Sequence, residues 1–433
     1  MTAESVAAVP AFAEAFKVWT KIGFTSFGGP AGQIAMMHKV LVDDKKWLDE
    51  RTYLLALNFC TLLPGPEAMQ LATYAGWRLH GIKGGLAAGL MFVLPGAFVI
   101  LALSMLYAEY GNVPLVSAIF TGIKAAVLAI VVEALLRISK RSLKDTTEYA
   151  IAALSFAAIF FFKVPFPLIV LAAGIFGYIR GAGSTGVDTA VVASVPVPIT
   201  QTLATIGVWL AIWILPLAAV AMIFGADHVL AKLAWFFSKL AVVTFGGAYA
   251  VLAYMAQDAV QTYGWMKPGE MLDGLGLAET TPGPLILVTE FVGYLAAYRN
   301  GGGNPLVMGV LGAVVTLWAT FAPCFMYIFA GAPYIERLKS APKLKSALSA
   351  ITAAVVGVVL NLSAWFALHV IFRNVGEANV GPMSVPLPDA YSIDWLAAAL
   401  AILAAVMLFR LHAGVMTVLG VCGGLALLAA QIF

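Results

Sequence analysis

Two tripeptides hold the residues best placed for chemistry: Pro64-Gly65-Pro66 and, 218 residues further on, Pro282-Gly283-Pro284. Proline removes a backbone donor and fixes φ, while glycine frees it, so a helix that runs into either must stop and restart. Pro66 suits the first turn of the new helix, with Glu67 beside it and backbone N–H groups left without partners. Two further strings, Phe27-Gly28-Gly29 followed by Pro30 and Phe245-Gly246-Gly247, repeat at the same spacing of 218 and interrupt helical patterns of their own. Unpaired N–H groups at a half-helix start, with the helix dipole behind them, attract anions. Ser26, Thr25, Thr244, Gln33, Gln70, Thr280 and Thr281 flank the four breaks and would add neutral hydrogen bonds. The alternative is that the glycines only let helices approach closely.

Ionisable groups sharpen the picture. Lys124 lies near the centre of an apolar stretch, 113–137, too far from either end to reach water easily. A charge in that position is a functional hypothesis by default. It would serve as counter-charge to an anion, or pair with Glu67 or Glu133 when the site is empty; a purely structural ion pair is the plainer role. Glu67 gains from the dipole of the helix it opens, so capping alone would explain it. Beside an anion it would repel substrate unless protonated, which makes it a candidate for proton coupling, and Glu290 holds a similar place in the second half. Glu133, nearer a segment end, would snorkel. His38 ends the first broken segment beside Lys39, an interfacial place that also suits gating or proton transfer. Lys21 and Lys239 each precede a Phe-Gly-Gly break by six residues and would line entry paths or anchor at the interface.

The elements that must position these groups are apolar. The chain is 62% hydrophobic and 11% charged, against about 25% charged in soluble domains. Most of its long apolar stretches are long enough to cross a hydrocarbon core, which needs roughly 20 residues. The net charge of +3 forms short basic clusters, 137–144 and 337–345 among them, which set topology and leave no stripe for nucleic acid. Cys60, Cys324 and Cys422 lie in apolar segments without metal-ligand spacing and are expected to be free thiols. No basic region precedes the first apolar run, so no cleaved signal peptide is expected.

Slid along itself, the sequence superposes Lys21 on Lys239, Trp47 on Trp265 and both kinds of break at an offset of 218. Beyond an insertion near Arg299–Pro305 the offset is 228, where Pro95 meets Pro323. The expected organisation is an N-terminal repeat, 1–180, a linker with a joining helix, 181–228, and a C-terminal repeat, 229–433. Each repeat holds two broken segments (12–40 and 52–80; 229–256 and 269–298) and four long ones (84–109, 113–137, 147–162, 165–180; 305–330, 345–373, 392–409, 413–432), with 203–224 between. The fold class is thus an all-α polytopic membrane protein of two inverted-topology repeats. Broken segments that cross give thirteen spans; segments that turn back as re-entrant hairpins give nine spans and four hairpins. Hairpins place sixteen basic residues inside and five outside, crossing segments thirteen and eight, so the positive-inside rule favours hairpins. Both arrangements put the N-terminus in the cytoplasm and the C-terminus in the periplasm.

The strings Phe27-Gly28-Gly29-Pro30-Ala31-Gly32-Gln33 and Asn58-Phe59-Cys60-Thr61-Leu62-Leu63-Pro64-Gly65-Pro66-Glu67 resemble signatures of the chromate ion transporter (CHR) family. Thr244-Phe245-Gly246-Gly247 and Glu279-Thr280-Thr281-Pro282-Gly283-Pro284 match in the second half, and the resemblance covers nearly the whole chain. It implies an inner-membrane transporter of bacteria that exports chromate, with inverted repeats and often thirteen predicted spans. Sulfate is the usual look-alike substrate in that family. Its first domain carries most of the polar signature residues, and here Glu67 is mirrored by Leu285, Lys124 by Thr352 and His38 by Ala256.

The resulting expectation is a secondary active exporter of chromate driven by proton or counter-anion exchange, or the same machine carrying sulfate or another oxyanion. No Gly-x-x-x-x-Gly-Lys-Ser/Thr string is present, so this chain is not expected to hydrolyse ATP, and no cofactor is implied. An intramembrane enzyme or lipid-handling protein would need a nucleophile–base pair or a metal cluster, and neither stands out. Expected partners are the oxyanion and membrane lipids; small residues on many helices permit a homodimer.

Overall fold

A computed structural model of the protein describes residues 9–27, 29–181, 198–245, 248–335 and 342–432. Gly28, Gly246 and Gly247, most of the expected linker (182–197) and part of the basic cluster 337–345 lie outside the described residues. Helix α1 (Phe12–Thr25) stops before Ser26, and α2 (Gly29–His38) restarts on Gly29 at φ 71°. A π-helical turn, Lys39–Asp44, leads to α3 (Glu50–Cys60), whose N-cap Asp49 accepts from Thr52 N. After the Pro-Gly-Pro break comes α4 (Glu67–Tyr110), in reality two helices that meet at a sharp bend where His80 and Gly81 leave helical φ/ψ.

The second half repeats these elements. Helices α9 (Val229–Val243) and α10 (Ala248–Gln257) lead to a π-helical turn at Asp258–Thr262 and then to α11 (Pro268–Thr280). The bonds that close the two π-turns also correspond, Trp47 N to Leu41 O and Trp265 N to Ala259 O, both 2.8 Å. A 3-10 turn, Leu285–Leu287, stands at the second Pro-Gly-Pro and runs into α12 (Val288–Asn300).

All nine expected long segments are helices: α5 (Pro114–Ser142), α6 (Thr146–Phe162), α7 (Phe166–Arg180), α8 (Ile199–Phe224), α13 (Pro305–Gly331), α14 (Pro342–Ile371), α15 (Trp395–Phe409), α16 (Val415–Ile432) and the second arm of α4. Among the described residues six helices are long and apolar enough to cross a membrane, and α6, α7 and α15 are shorter apolar helices. The all-α expectation needs one correction. Between α14 and α15 the chain forms a two-stranded antiparallel hairpin, β1 (Val375–Val380) and β2 (Met383–Pro388), turned at Gly381 with φ 61°. A turn glycine at positive φ between short strands explains the hairpin, and the strands are too short to show in a hydropathy profile. The ion pair Lys163–Glu377, at 2.7 Å, ties it to the end of α6 and holds the Glu377 carboxyl below its usual range.

The chain forms two compact units, each drawing on both sequence halves. The first contains Met1–Met105, Gly186–Ala248 and Ala278–Ala341; the second contains Leu106–Thr185, Tyr249–Leu277 and Pro342–Phe433. In the first unit α12 packs against α13, which also packs on α8 and α9. In the second, α14 packs on α5, α6 and α7, and α15 and α16 cover α5. Lipid tails are as apolar as leucine, so close packing at small residues must hold such pairs together. In α13, a Cβ on Gly312 would lie 2.3 Å from Gly293 O.

Gly312→Val is therefore expected to lower the thermal midpoint of the purified protein by an amount equivalent to about 1–3 kcal/mol. Gly207→Ala on α8, where a Cβ meets nothing within 4 Å, should leave the midpoint unchanged.

Candidate functional site

Within the first unit the breaks bind one another across the repeat. Gly65 N–H donates to Thr244 O at 2.9 Å, and Gly283 N–H donates to Ser26 O at 3.0 Å. Thr244 lies 218 residues after Ser26, as Gly283 lies after Gly65, so the two bonds are equivalent under the sequence repeat. Each Pro-Gly-Pro glycine thus finds its acceptor at the Phe-Gly-Gly break of the other half. The geometry demands glycine at both, with φ 115° at Gly65 and 93° at Gly283.

The return helices are equivalent too. A Cβ on Gly96 would come 2.0 Å from Pro282 O, and one on Gly65 would come 2.8 Å from Cys324 Sγ. Gly96 and Cys324 are related by the offset of 228 and each follows an in-helix proline, Pro95 or Pro323. Each repeat therefore presses its own return helix onto the other repeat's break.

Two glutamines reinforce the first-half side. Gln33, 1% exposed, donates through Nε2 to Gly283 O at 2.6 Å and to Ser26 O at 3.1 Å. Gln70, fully buried, donates to Pro64 O at 2.6 Å. Their Oε1 atoms are buried without a hydrogen-bond partner and call for a donor. The neutral hydroxyls expected to serve an anion donate instead to carbonyls of their own segments: Ser26 to Gly23 O, Thr244 to Leu240 O and Thr281 to Ala278 O. Thr280 is half-buried at the end of α11, and Pro66, Pro282 and Pro284 are buried. The amides of Gly65 and Gly283 are occupied by the crossed bonds. Among the described residues the start of α2 stays open: Gly29 has nothing within 4 Å of its Cβ position, Ala31 and Gly32 are exposed and Pro30 is half-buried. Phe27 is 43% exposed, and Phe245 is half-buried.

The other titratable groups of this unit scatter. Glu67 opens α4 half-buried. Glu290, 1% exposed on α12, has an Oε2 without a hydrogen-bond partner. His38 bridges Glu50 at 2.6 Å and Asp43 at 3.5 Å, which clamps the end of α2 to the start of α3. Lys21 is exposed, and Lys239 lies 5.8 Å from the Phe236 ring.

In the second unit Lys124 is paired with an acid outside the two expected, Asp273. Its Nζ lies 3.3 Å from Asp273 Oδ1 on α11, while Glu133 pairs with Arg137 at 2.5 Å. Tyr107 donates its hydroxyl to Asp273 Oδ2 at 2.7 Å, and Gly269, one turn earlier on α11, makes room for the lysine's ammonium end. Asp273 is not among the residues expected from sequence, although its position between Leu272 and Leu275 in an apolar segment is a signal for it.

The crossed bonds predict matched consequences. Gly65→Ala and Gly283→Ala are each expected to cost about 1–2 kcal/mol from the left-handed backbone alone, and more where the Cβ meets its neighbours. Thermal unfolding of the purified variants checks this, with similar losses expected at the two sites.

Among the described residues no group of three or more His, Cys, Asp or Glu is placed to hold a metal ion. A family model described as Chromate transporter matches residues 13–178 and 231–428. The chain is 32% identical over 366 residues to the Chromate transport protein of Pseudomonas aeruginosa, covering 83% of this chain and 82% of that one. It is 28% identical over 344 residues to the Chromate transport protein of Cupriavidus metallidurans, covering 78% of each. An uncharacterized transporter of Methanocaldococcus jannaschii is 27% identical over 363 residues, 83% of this chain and 86% of its own. No solved structure matches the chain. With two matched stretches that take in both halves, this multi-pass membrane protein belongs to the chromate transporter family, a family of transporters and not of enzymes.

Proposed function

We propose that the protein exports a tetrahedral oxyanion dianion, chromate, across the bacterial cytoplasmic membrane by secondary active transport. The observation that carries this reading is the reciprocal pair of bonds between the breaks, Gly65 to Thr244 and Gly283 to Ser26, in a chain of this family. Interrupted helices in lipid are tolerated where they are buried in protein or line a polar cavity, and in transporters they build the substrate site. The repeats, 1–180 and 229–433, are inverted copies joined through 181–228, with the broken segments turning back as hairpins. The six long and three shorter apolar helices support the count of nine spans. The N-terminus is then cytoplasmic and the C-terminus periplasmic.

Substrate meets the start of α2, in the stretch Phe27, Gly28, Gly29 and Pro30, where the open Gly29 and the exposed Ala31 and Gly32 offer first-turn amides with the helix dipole behind them. Lys124 supplies the fixed positive charge on the route. The coupling ion is a proton or a counter-anion, with Glu67 and Glu290 as carboxyls able to hold a proton and His38, Lys21 and Lys239 as gating or entry residues. Two relatives of similar length named Chromate transport protein favour chromate over sulfate.

Everted membrane vesicles test the reading. They are expected to accumulate chromate in an energised state, with unlabelled sulfate competing weakly. Lys124→Ala should lower the initial rate at least tenfold in vesicles that hold the same amount of folded protein, while Lys124→Arg keeps part of it. Undiminished flux in Lys124→Ala removes the lysine from the route, and strong competition by sulfate replaces chromate as the substrate.

A further inference from the structure

The pair between Lys124 and Asp273 has a consequence for coupling. The Asp273 side chain is 4% exposed and the Lys124 side chain 27%, so the lysine is the partner that a solute reaches. A dianion that takes the ammonium must come up against the Asp273 carboxylate, with its like charge, in a place poor in water. Removing one partner from a buried ion pair leaves the other charge uncompensated, and a buried carboxylate without compensation takes a proton. The groups that act on Asp273 are few. Lys124 faces it from α5, the Tyr107 hydroxyl from the end of α4, and the Glu270 carboxylate lies one turn earlier on its own helix. Tyr107 stays able to bond whichever form Asp273 takes, since a phenol both donates and accepts. Glu270 brings a second acid to the same stretch of α11, three residues before Asp273.

We infer that Asp273 is the proton site of the transport cycle: the oxyanion displaces Asp273 from Lys124, and Asp273 takes up one proton as the anion binds. The inference rests on the reading of Lys124 as the anion's counter-charge and goes beyond it in fixing the sense of coupling. Protonation and anion binding favour each other, so the proton travels with the anion. Asp273 is a positioning residue. It acts through Lys124, holding the ammonium in the empty protein and releasing it to substrate when neutral. Linkage gives the sign. Over the pH range in which the empty protein holds Asp273 ionised, anion affinity falls about tenfold for each unit rise in pH, and it levels off below that range.

The test is isothermal titration calorimetry of the full-length protein in detergent, with chromate as the probe, at a pH where free chromate is a dianion. Repeating it in buffers of different ionisation enthalpy counts protons. Wild type is expected to take up about one proton per chromate bound. Asp273→Asn should bind chromate with no uptake and with an affinity that no longer varies with pH, whereas Asp273→Glu should restore uptake. Tyr107→Phe should keep the uptake. Chromate binding by wild type without proton uptake overturns the inference and leaves the transport reading standing, and so does uptake that persists in Asp273→Asn. If Asp273→Asn does not fold, the wild-type proton count decides alone. Wild type that binds neither chromate nor sulfate overturns both readings.

Discussion

A helix interrupted inside a membrane must find partners for the amides it exposes, because hydrocarbon offers none. Here the requirement is met by exchange between repeats. The glycine amide of each Pro-Gly-Pro break donates to the residue ahead of the other repeat's Phe-Gly-Gly break. Neither repeat can satisfy its own glycine amide in this way, so the two halves of the first unit are interdependent at their most constrained points. The rest of that unit follows. The return helices bring Gly96 and Cys324 against the opposite breaks, and Gln33 clamps one crossing from the side.

The same exchange decides which groups remain for a ligand. Since the glycine amides and most nearby hydroxyls already serve backbone carbonyls, an anion is left with first-turn amides where a helix start is open, and α2 is such a start. The crossed bonds hold the shape of the breaks, and on the proposed reading recognition falls to what that shape leaves uncovered. That separation suits a transporter, because a site whose donors were all free would hold a dianion too tightly to let it go.

How much of this the sequence discloses depends on how far each interaction reaches along the chain. Proline and glycine act on their own φ/ψ, so the four breaks, the bend at His80 and Gly81 and the ends of nine apolar helices could be read locally. Duplication was legible for a related reason, since rare residues at fixed offsets need no partner to be recognised. The crossed bonds were not, because nothing in Gly65 names Thr244. Lys124 marks the limit most clearly. Its place in an apolar segment marks it as unusual, but its Asp273 partner depends on which face of α5 meets which helix, and no local signal names it. Asp273 stands one helical segment away from the Pro-Gly-Pro break that marks this stretch, and a single acid among apolar neighbours carries no spacing signal of its own. The hairpin 375–388 was hidden because a short β-ribbon between long apolar helices reads simply as a polar loop.

Charge arithmetic links the lysine–aspartate pair to direction. In a cell negative inside, each elementary charge that crosses is worth about 2.3 kcal/mol per 100 mV. A dianion that leaves alone carries two negative charges outward, and one that leaves with a proton carries one. On the proposed reading export stays electrically downhill with the proton on board, and the empty protein returns with Lys124 and Asp273 paired and neutral together. Inward exchange of a proton for the anion would require the two to exclude each other. A carboxylate that shares one ammonium with a dianion does the opposite, because each negative charge that arrives makes the other harder to keep. The electrostatics of a single buried pair thus favours co-movement in the proposed cycle, where the membrane potential would supply the drive.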